Sequence, residues 1–297
     1  MEATQEVTRE ATQPGPIAIA VDALDVADRL APPDAFPRPP HPSSRWREYF
    51  RANADRLMPL PWADGVDFTP EERAAIASSV QEFQLGESSE GRHLVGRARA
   101  YAERSGDGEY LAALRLFIAE EHRHARDLGR VLALAGIPLV GSTWPDTVFR
   151  RLRRGAGLEL SICVLVTAEI IAKVYYAALR EATGSSVLRR LCDQILRDEV
   201  QHVRFQAERV ALLRHRRPRL GVWFSRQAHR ALMAGTCLVV WHKHGRALRK
   251  GGRTFARFWR DTWRETADAL RRMDPATYAM PAAAGTIAFP SPRVLAE

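Results

Sequence analysis

Two short stretches of this chain place acid and imidazole at a spacing that can grip a metal ion. Glu120-Glu121-His122-Arg123-His124 contains the pair Glu121/His124, and Asp198-Glu199-Val200-Gln201-His202 contains the pair Glu199/His202. Residues three apart on a helix lie one above the other on the same face, so a carboxylate oxygen and an imidazole nitrogen from one helix can reach one ion. Both pairs interrupt apolar stripes: Leu114, Phe117, Glu121, His124, Leu128, Val131 in the first case and Leu188, Cys192, Ile195, Glu199, His202, Phe205 in the second. Two further stripes carry the same defect, Ile162, Leu165, Glu169, Ala172, Tyr176 and Ile76, Val80, Phe83, Glu87, Glu90, Leu94. An ionised carboxylate inside an apolar core is costly unless it is paired or bound to metal. No Lys or Arg falls on these stripes at the right level. Lys173 lies one position beyond its stripe, and Arg209 sits about two turns past His202, roughly 10 Å along the axis. The acids therefore call for shared cations.

The elements that must position these groups are helices. Thr69-Pro70-Glu71-Glu72 is a helix start with Thr69 as cap, and the pattern predicts a helix over Pro70–Arg104 that stops at Ser105-Gly106-Asp107-Gly108. Further helices are predicted over Glu109–Ala135, ended by Gly136-Ile137-Pro138, over Leu158–Ala182, and, after Thr183-Gly184-Ser185-Ser186, over Val187–Arg214. Two more follow near Gly221–Arg249 and Thr254–Met273, and short helices are expected at Val21–Leu30 and Val148–Arg154. Nothing alternates as a strand would. Residues 1–45 read as a Pro-rich, mostly irregular leader and 46–69 as a lead-in. Residues 70–214 read as the metal-bearing bundle, 215–273 as basic C-terminal helices packed on it, and 274–297 as a loose tail.

Facing residues of an antiparallel hairpin are equidistant from its turn. The midpoint of Glu169 and the Glu199/His202 pair falls near residue 185, inside the predicted turn, and that of Glu90 and the Glu121/His124 pair falls near 106. Glu87 gives a midpoint near 105. Glu90 is thus the preferred ligand from the first helix, with Glu87 as the alternative or an outer neighbour. The expected metal ligands are Glu90, Glu121, His124, Glu169, Glu199 and His202. His93, Asp198 and Arg123 are candidates for alternative ligands or contacts behind them, and Tyr175 and Tyr176, about two turns from Glu169, are read as core packing in preference to a redox role. His122 is expected to point away, and His242 and His244 to lie on a solvated basic face.

The order Glu…Glu-x-x-His…Glu…Glu-x-x-His resembles the ferritin-like di-iron carboxylate superfamily over about Glu72 to Arg214, and the two Glu-x-x-His stretches look most like those of soluble acyl-carrier-protein desaturases. The resemblance implies an all-α, ferritin-like four-helix bundle with additional C-terminal helices. It also implies two iron ions (Fe/Fe, or Mn/Fe), with Glu90 and His124 on one side, Glu169 and His202 on the other, and Glu121 and Glu199 bridging. The implied activity is O2-dependent oxidation of an organic substrate by desaturation, hydroxylation or N-oxygenation, with an external electron donor. Two other classes stay open: a ferroxidase or iron-handling protein, and a basic helical nucleic-acid-binding module whose metal is structural.

Composition narrows the setting. Of the net charge of +9, the stretch from His202 to Met273 carries +14 and the remainder −5. Such asymmetry suits an acidic partner, for instance a carrier protein presenting the substrate. Three widely spaced cysteines in apolar stretches, Cys163, Cys192 and Cys237, read as reduced thiols in a cytoplasmic protein rather than a disulfide framework. No signal-like start or membrane span is expected, nucleic acid is disfavoured, and a monomer or homodimer is anticipated. No P-loop, G-x-S-x-G or G-x-G-x-x-G turns up.

Overall fold

The structure is a computed structural model that describes residues 38–88, 91–141 and 157–280. Among these residues every regular element is helical: α1 (Ser43–Ala54), α2 (Pro70–Ser88), α3 (Arg92–Ser105), α4 (Gly108–Leu134), α5 (Leu158–Ala182), α6 (Ser186–Arg214), α7 (Arg219–Lys250) and α8 (Phe255–Arg272), with single 3-10 turns at Trp62–Asp64 and Pro275–Thr277. The expected short helices at Val21–Leu30 and Val148–Arg154 lie outside the described residues.

Local chemistry sets the ends of the elements that carry the acids. Thr69 and Glu72 form a reciprocal capping box at the start of α2, Thr69 N donating to Glu72 Oε2 at 3.0 Å and Glu72 N to Thr69 Oγ1 at 3.2 Å. The other Glu72 oxygen accepts from Gly184 N at 2.6 Å, so the same cap clamps the α5–α6 turn. Asp107 caps α4 through Tyr110 N, and Ser185 caps α6 through Leu188 N. Gly106 closes α3 at φ 74°.

Two sequence expectations need correction. The single helix over Pro70–Arg104 is two helices, α2 ending at Ser88 and α3 starting at Arg92. Gly91 between them has φ 136°, a conformation that L side chains rarely adopt. The first part of the lead-in over 46–69 is the body of α1, which begins at Ser43 inside the supposed leader, ends at Ala54, and buries Trp46, Phe50 and Asn53 at helical spacing. Glu208 of α6 fastens this region, accepting from Trp46 Nε1 at 3.0 Å and from His41 N at 3.1 Å.

Helix α5 is apolar around most of its circumference because it is packed on several sides. Its largest contact is with α6, and α7, α8, α3 and α2 cover the rest. It is the one described helix long and apolar enough to cross a membrane, yet 83% of that stretch is buried inside the protein, as befits a core helix. Helices α1, α2 and α3 pack on α4, α4 also meets α6, and α7 and α8 lie against the α5–α6 pair. All three cysteines are free and buried. Burial pushes the Cys163 thiol up to about 12 and that of Cys237 to about 11, away from nucleophilic use.

The end of α7 closes on α5 so tightly that a Cβ at Gly251 would sit 2.0 Å from the Ala178 carbonyl oxygen. That obstacle is backbone and cannot swing aside. Gly251→Ala is expected to destabilise the protein by roughly 3 kcal/mol or more, at the upper end of overpacking costs. Denaturant titration of the variant checks it; an unchanged midpoint would mean that the two backbones do not approach.

Candidate metal centre

Helices α2, α4, α5 and α6 each deliver carboxylates to one buried point. Glu87, Glu121, His124 and Glu199 each offer a ligand atom, all within 4.8 Å of one another, and so do Glu121, Glu169, Glu199 and His202. Glu121 and Glu199 belong to both groups. The arrangement is therefore two overlapping four-donor sets joined by two carboxylates. His124 Nδ1 lies 3.9 Å from Glu87 Oε2, 3.8 Å from Glu121 Oε1 and 3.9 Å from Glu199 Oε1. His202 Nδ1 lies 2.9 Å from Glu121 Oε1, 3.8 Å from Glu169 Oε2 and 3.6 Å from Glu199 Oε2. None of the six residues is more than 7% exposed.

The fit to metal can be read from what these atoms lack. Glu121 Oε1, His124 Nδ1, Glu169 Oε1, both Glu199 oxygens and His202 Nδ1 are buried without a hydrogen-bond partner. The 2.9 Å approach of His202 to Glu121 is too poorly aligned to serve as one. Buried polar atoms are almost always satisfied, and here a cluster of lone pairs faces a common centre instead. A pair of metal ions would fill that role. Four carboxylates and two neutral imidazoles carry four negative charges, the complement of two divalent cations.

The outer face of each imidazole is bound. His124 Nε2 meets Asp198 Oδ2 at 3.1 Å, and His202 Nε2 meets Glu120 Oε2 at 2.9 Å. A carboxylate behind the ring accepts a hydrogen bond from Nε2–H and leaves Nδ1 turned to the centre, as metal ligation requires. The partners are exchanged between helices: Asp198 precedes Glu199 on α6 but orients the α4 histidine, while Glu120 precedes Glu121 on α4 but orients the α6 histidine. Asn53 of α1 joins the two, its Nδ2 donating to Glu120 Oε1 at 2.7 Å and to Asp198 Oδ1 at 3.0 Å. Arg197 holds the Asn53 carbonyl oxygen at 3.2 Å, which fixes the amide. Arg123 and Gln194 also donate to Asp198. The Tyr176 hydroxyl donates to Glu87 Oε1 at 2.6 Å.

Without a cation the cluster holds protons instead. Burial, then the charges of Glu169 and Glu87, raise the Glu121 carboxyl well above its ordinary range; burial and Glu169 do the same to Glu199. Burial alone would lower His124, but the hydrogen bond to Asp198 and the nearby charges of Glu87 and Glu121 lift it to about 10. Burial would also lower His202, yet Glu121 and Glu120 raise it. Asp198 would be raised by burial, but His124 and Arg123 hold it well below the usual carboxylate range.

Of the residues picked from sequence, Glu121, His124, Glu169, Glu199 and His202 come together. Glu90 lies outside the described residues, and the α2 donor in the cluster is Glu87. The midpoint arithmetic that favoured Glu90 assumed one unbroken helix, and α2 ends before residue 90. Asp198 and Arg123 stand behind His124. His93 is exposed and outside the cluster. Tyr176 touches a cluster member, whereas Tyr175 stacks on Phe83. His242 is exposed, but His244 is buried against Ser79 Oγ at 2.8 Å rather than solvated. Glu120 and Asn53 were given no role from sequence. Glu120 stands in the same place relative to its Glu-x-x-His as Asp198, and that echo was the available signal. Asn53 shares a helical face with Trp46 and Phe50.

Comparison with protein-family models, with curated proteins and with solved structures gives no match to the chain.

Asn53→Ala is expected to weaken metal binding at both positions by about tenfold or more, whereas Asp198→Asn acts chiefly on the position served by His124. Titration with Mn(II) or Co(II) separates the two, and wild-type affinity in Asn53→Ala would remove the amide from the site. Since the metal-free cluster binds more protons than a loaded one, loading at pH 7 is expected to release protons, with affinity rising as pH rises. A weakly buffered titration that shows no acidification would contradict this.

Proposed function

We propose that the protein is an O2-dependent di-iron oxidoreductase with a ferritin-like bundle, acting on an organic substrate by desaturation, hydroxylation or N-oxygenation. The observation that carries this reading is the pair of overlapping four-donor sets sharing Glu121 and Glu199, whose inward lone pairs have no other partner. Mixed carboxylate and imidazole donors suit iron or manganese better than magnesium or structural zinc. When bound and reduced, such a metal pair supplies the electrons that activate dioxygen.

The chain's own part is binding, orientation and exclusion of water. Glu87 and His124 would hold one ion, Glu169 and His202 the other, and Glu121 and Glu199 would span them. Asp198 and Glu120 accept from Nε2–H, so that with metal bound the imidazoles would ligate through Nδ1 as neutral rings. Tyr176 gives Glu87 a hydrogen bond that holds one of its oxygens while the other remains free to ligate. Phe117 meets the His202 ring edge-on at 4.7 Å and Phe50 lies 6.0 Å from it, so α1 and α4 wall this side with hydrocarbon. A dry, pre-shaped pocket limits loss of oxidising equivalents to solvent.

The test begins with iron. Anaerobic loading is expected to give about two irons per chain in the wild type, as in other proteins with this ligand set. Glu121→Ala and His202→Ala are expected to fall well below that amount. Mixing the reduced, loaded protein with oxygen should give an absorbance transient absent from both variants. Equal iron content in all three proteins would sink the ligand assignment. Sustained oxidation of excess Fe(II) would instead identify an iron-handling ferroxidase.

A further inference from the structure

On the side of α7 turned away from α5, Leu220, Trp223 and Phe224 are 67%, 52% and 59% exposed. Their spacing of three and four residues puts them on one stripe of the first two helical turns, and the two rings pack edge to face with centroids 4.9 Å apart. A contiguous exposed patch of large apolar side chains is uncommon on a soluble protein and marks a surface that meets something. The helix cannot roll to hide it. Its opposite face is tied down, Ser225 taking a hydrogen bond from buried Arg214 at 2.8 Å and His229 meeting Thr167 Oγ1 at 2.9 Å.

The charge around the patch says what it meets. The preceding turn is His215-Arg216-Arg217-Pro218-Arg219, exposed throughout and without an acid. Arg217 is engaged with Glu159 at 2.9 Å, but Arg216 and Arg219 have no ion pair among the described residues. Along α7 the helical repeat sets Arg219, Arg226 and Arg230 on one flank of the apolar stripe, with Arg226 paired to Asp274 at 2.6 Å and Arg230 over the Trp263 ring, so that Arg219 and Arg216 are the guanidinium groups left to a partner. Tryptophan, phenylalanine and leucine beside an arginine flank make up the composition of a helix that rests at a membrane interface, rings at headgroup depth and guanidinium groups on phosphates. A second copy of this chain is a poor occupant, because a two-fold contact over the patch would press two such basic turns together.

We propose that the first two turns of α7, with the turn before them, form a peripheral docking site for an anionic phospholipid bilayer. The test is flotation of the full chain with vesicles of equimolar phosphatidylcholine and phosphatidylglycerol, and with vesicles of phosphatidylcholine alone. Wild type is expected to float with the anionic vesicles and about tenfold less with the neutral ones. The pairs Trp223→Ser/Phe224→Ser and Arg216→Gln/Arg219→Gln are each expected to lose about tenfold in anionic-vesicle binding. An unchanged helical circular-dichroism spectrum and thermal midpoint would show that each variant is folded.

Three results would overturn the proposal. One is wild type remaining in the dense fraction with anionic vesicles. Another is undiminished binding in both pairs, which would move the contact to another basic face. The third is a wild-type dimer that Trp223→Ser/Phe224→Ser converts to monomer, which would give the patch to a second copy. Because no arm depends on activity, failure here leaves the di-iron reading untouched, and the reverse also holds.

Discussion

Four carboxylates share a volume from which water is excluded, and their mutual repulsion governs much of what surrounds them. Side by side in a low-dielectric interior, Glu87, Glu121, Glu169 and Glu199 cannot all remain ionised unless positive charge sits among them. Among the described residues no lysine or arginine reaches that point. Lys173 is committed to Glu265, and Arg209 lies over the Tyr110 ring beside Asp107. The remaining options are protons or metal ions, and the same lone pairs serve either. In this sense the apolar stripes of α2, α4, α5 and α6 are only half of the design; the other half is the cation that makes their interruptions tolerable.

Behind the cluster lies a second layer with the opposite logic. There every carboxylate is satisfied by fixed donors: Asp198 by Arg123, Gln194, Asn53 and His124, Glu120 by Asn53 and His202. A saturated layer is rigid, and its rigidity passes to the two imidazoles it holds. The inner layer is left unsaturated, and that contrast between a finished shell and an unfinished centre separates a ligand site from an ordinary buried salt-bridge network. Arg214 with Glu159, buried elsewhere in the same protein, is nearer to such a network: each charge has its opposite at 2.8 Å, although Glu159 Oε2 and Arg214 Nη1 are left without a hydrogen bond.

Much of this was legible in the residue order because the site uses helical periodicity. Glu121/His124 and Glu199/His202 announce themselves by interrupting apolar stripes, and Glu169 does so in the most apolar helix of the chain. The capping box at Thr69 and the glycine-containing turns fixed most helix ends to within a residue or two. What escaped was information that periodicity does not hold. The break after α2 sits beside Gly91, so a register counted through it could not decide between Glu87 and Glu90. The role of Asn53 depends on where a helix outside the metal-bearing set docks, a tertiary fact with no local trace. His244 was misjudged because its basic neighbours suggested solvent, while its own side chain turns inward to Ser79.

The Asn53 amide reaches across 145 positions of sequence to Asp198 and across 67 to Glu120. During synthesis α1 leaves the ribosome early, yet its partners on α6 do not exist until the bulk of the chain has been made. The brace on both histidines can therefore close only after α6 has been made. A metal ion could meet the whole donor set only once α6 has been made, and a chain truncated before α6 keeps four of the six ligand residues, Glu87, Glu121, His124 and Glu169, without the Asp198 that orients His124.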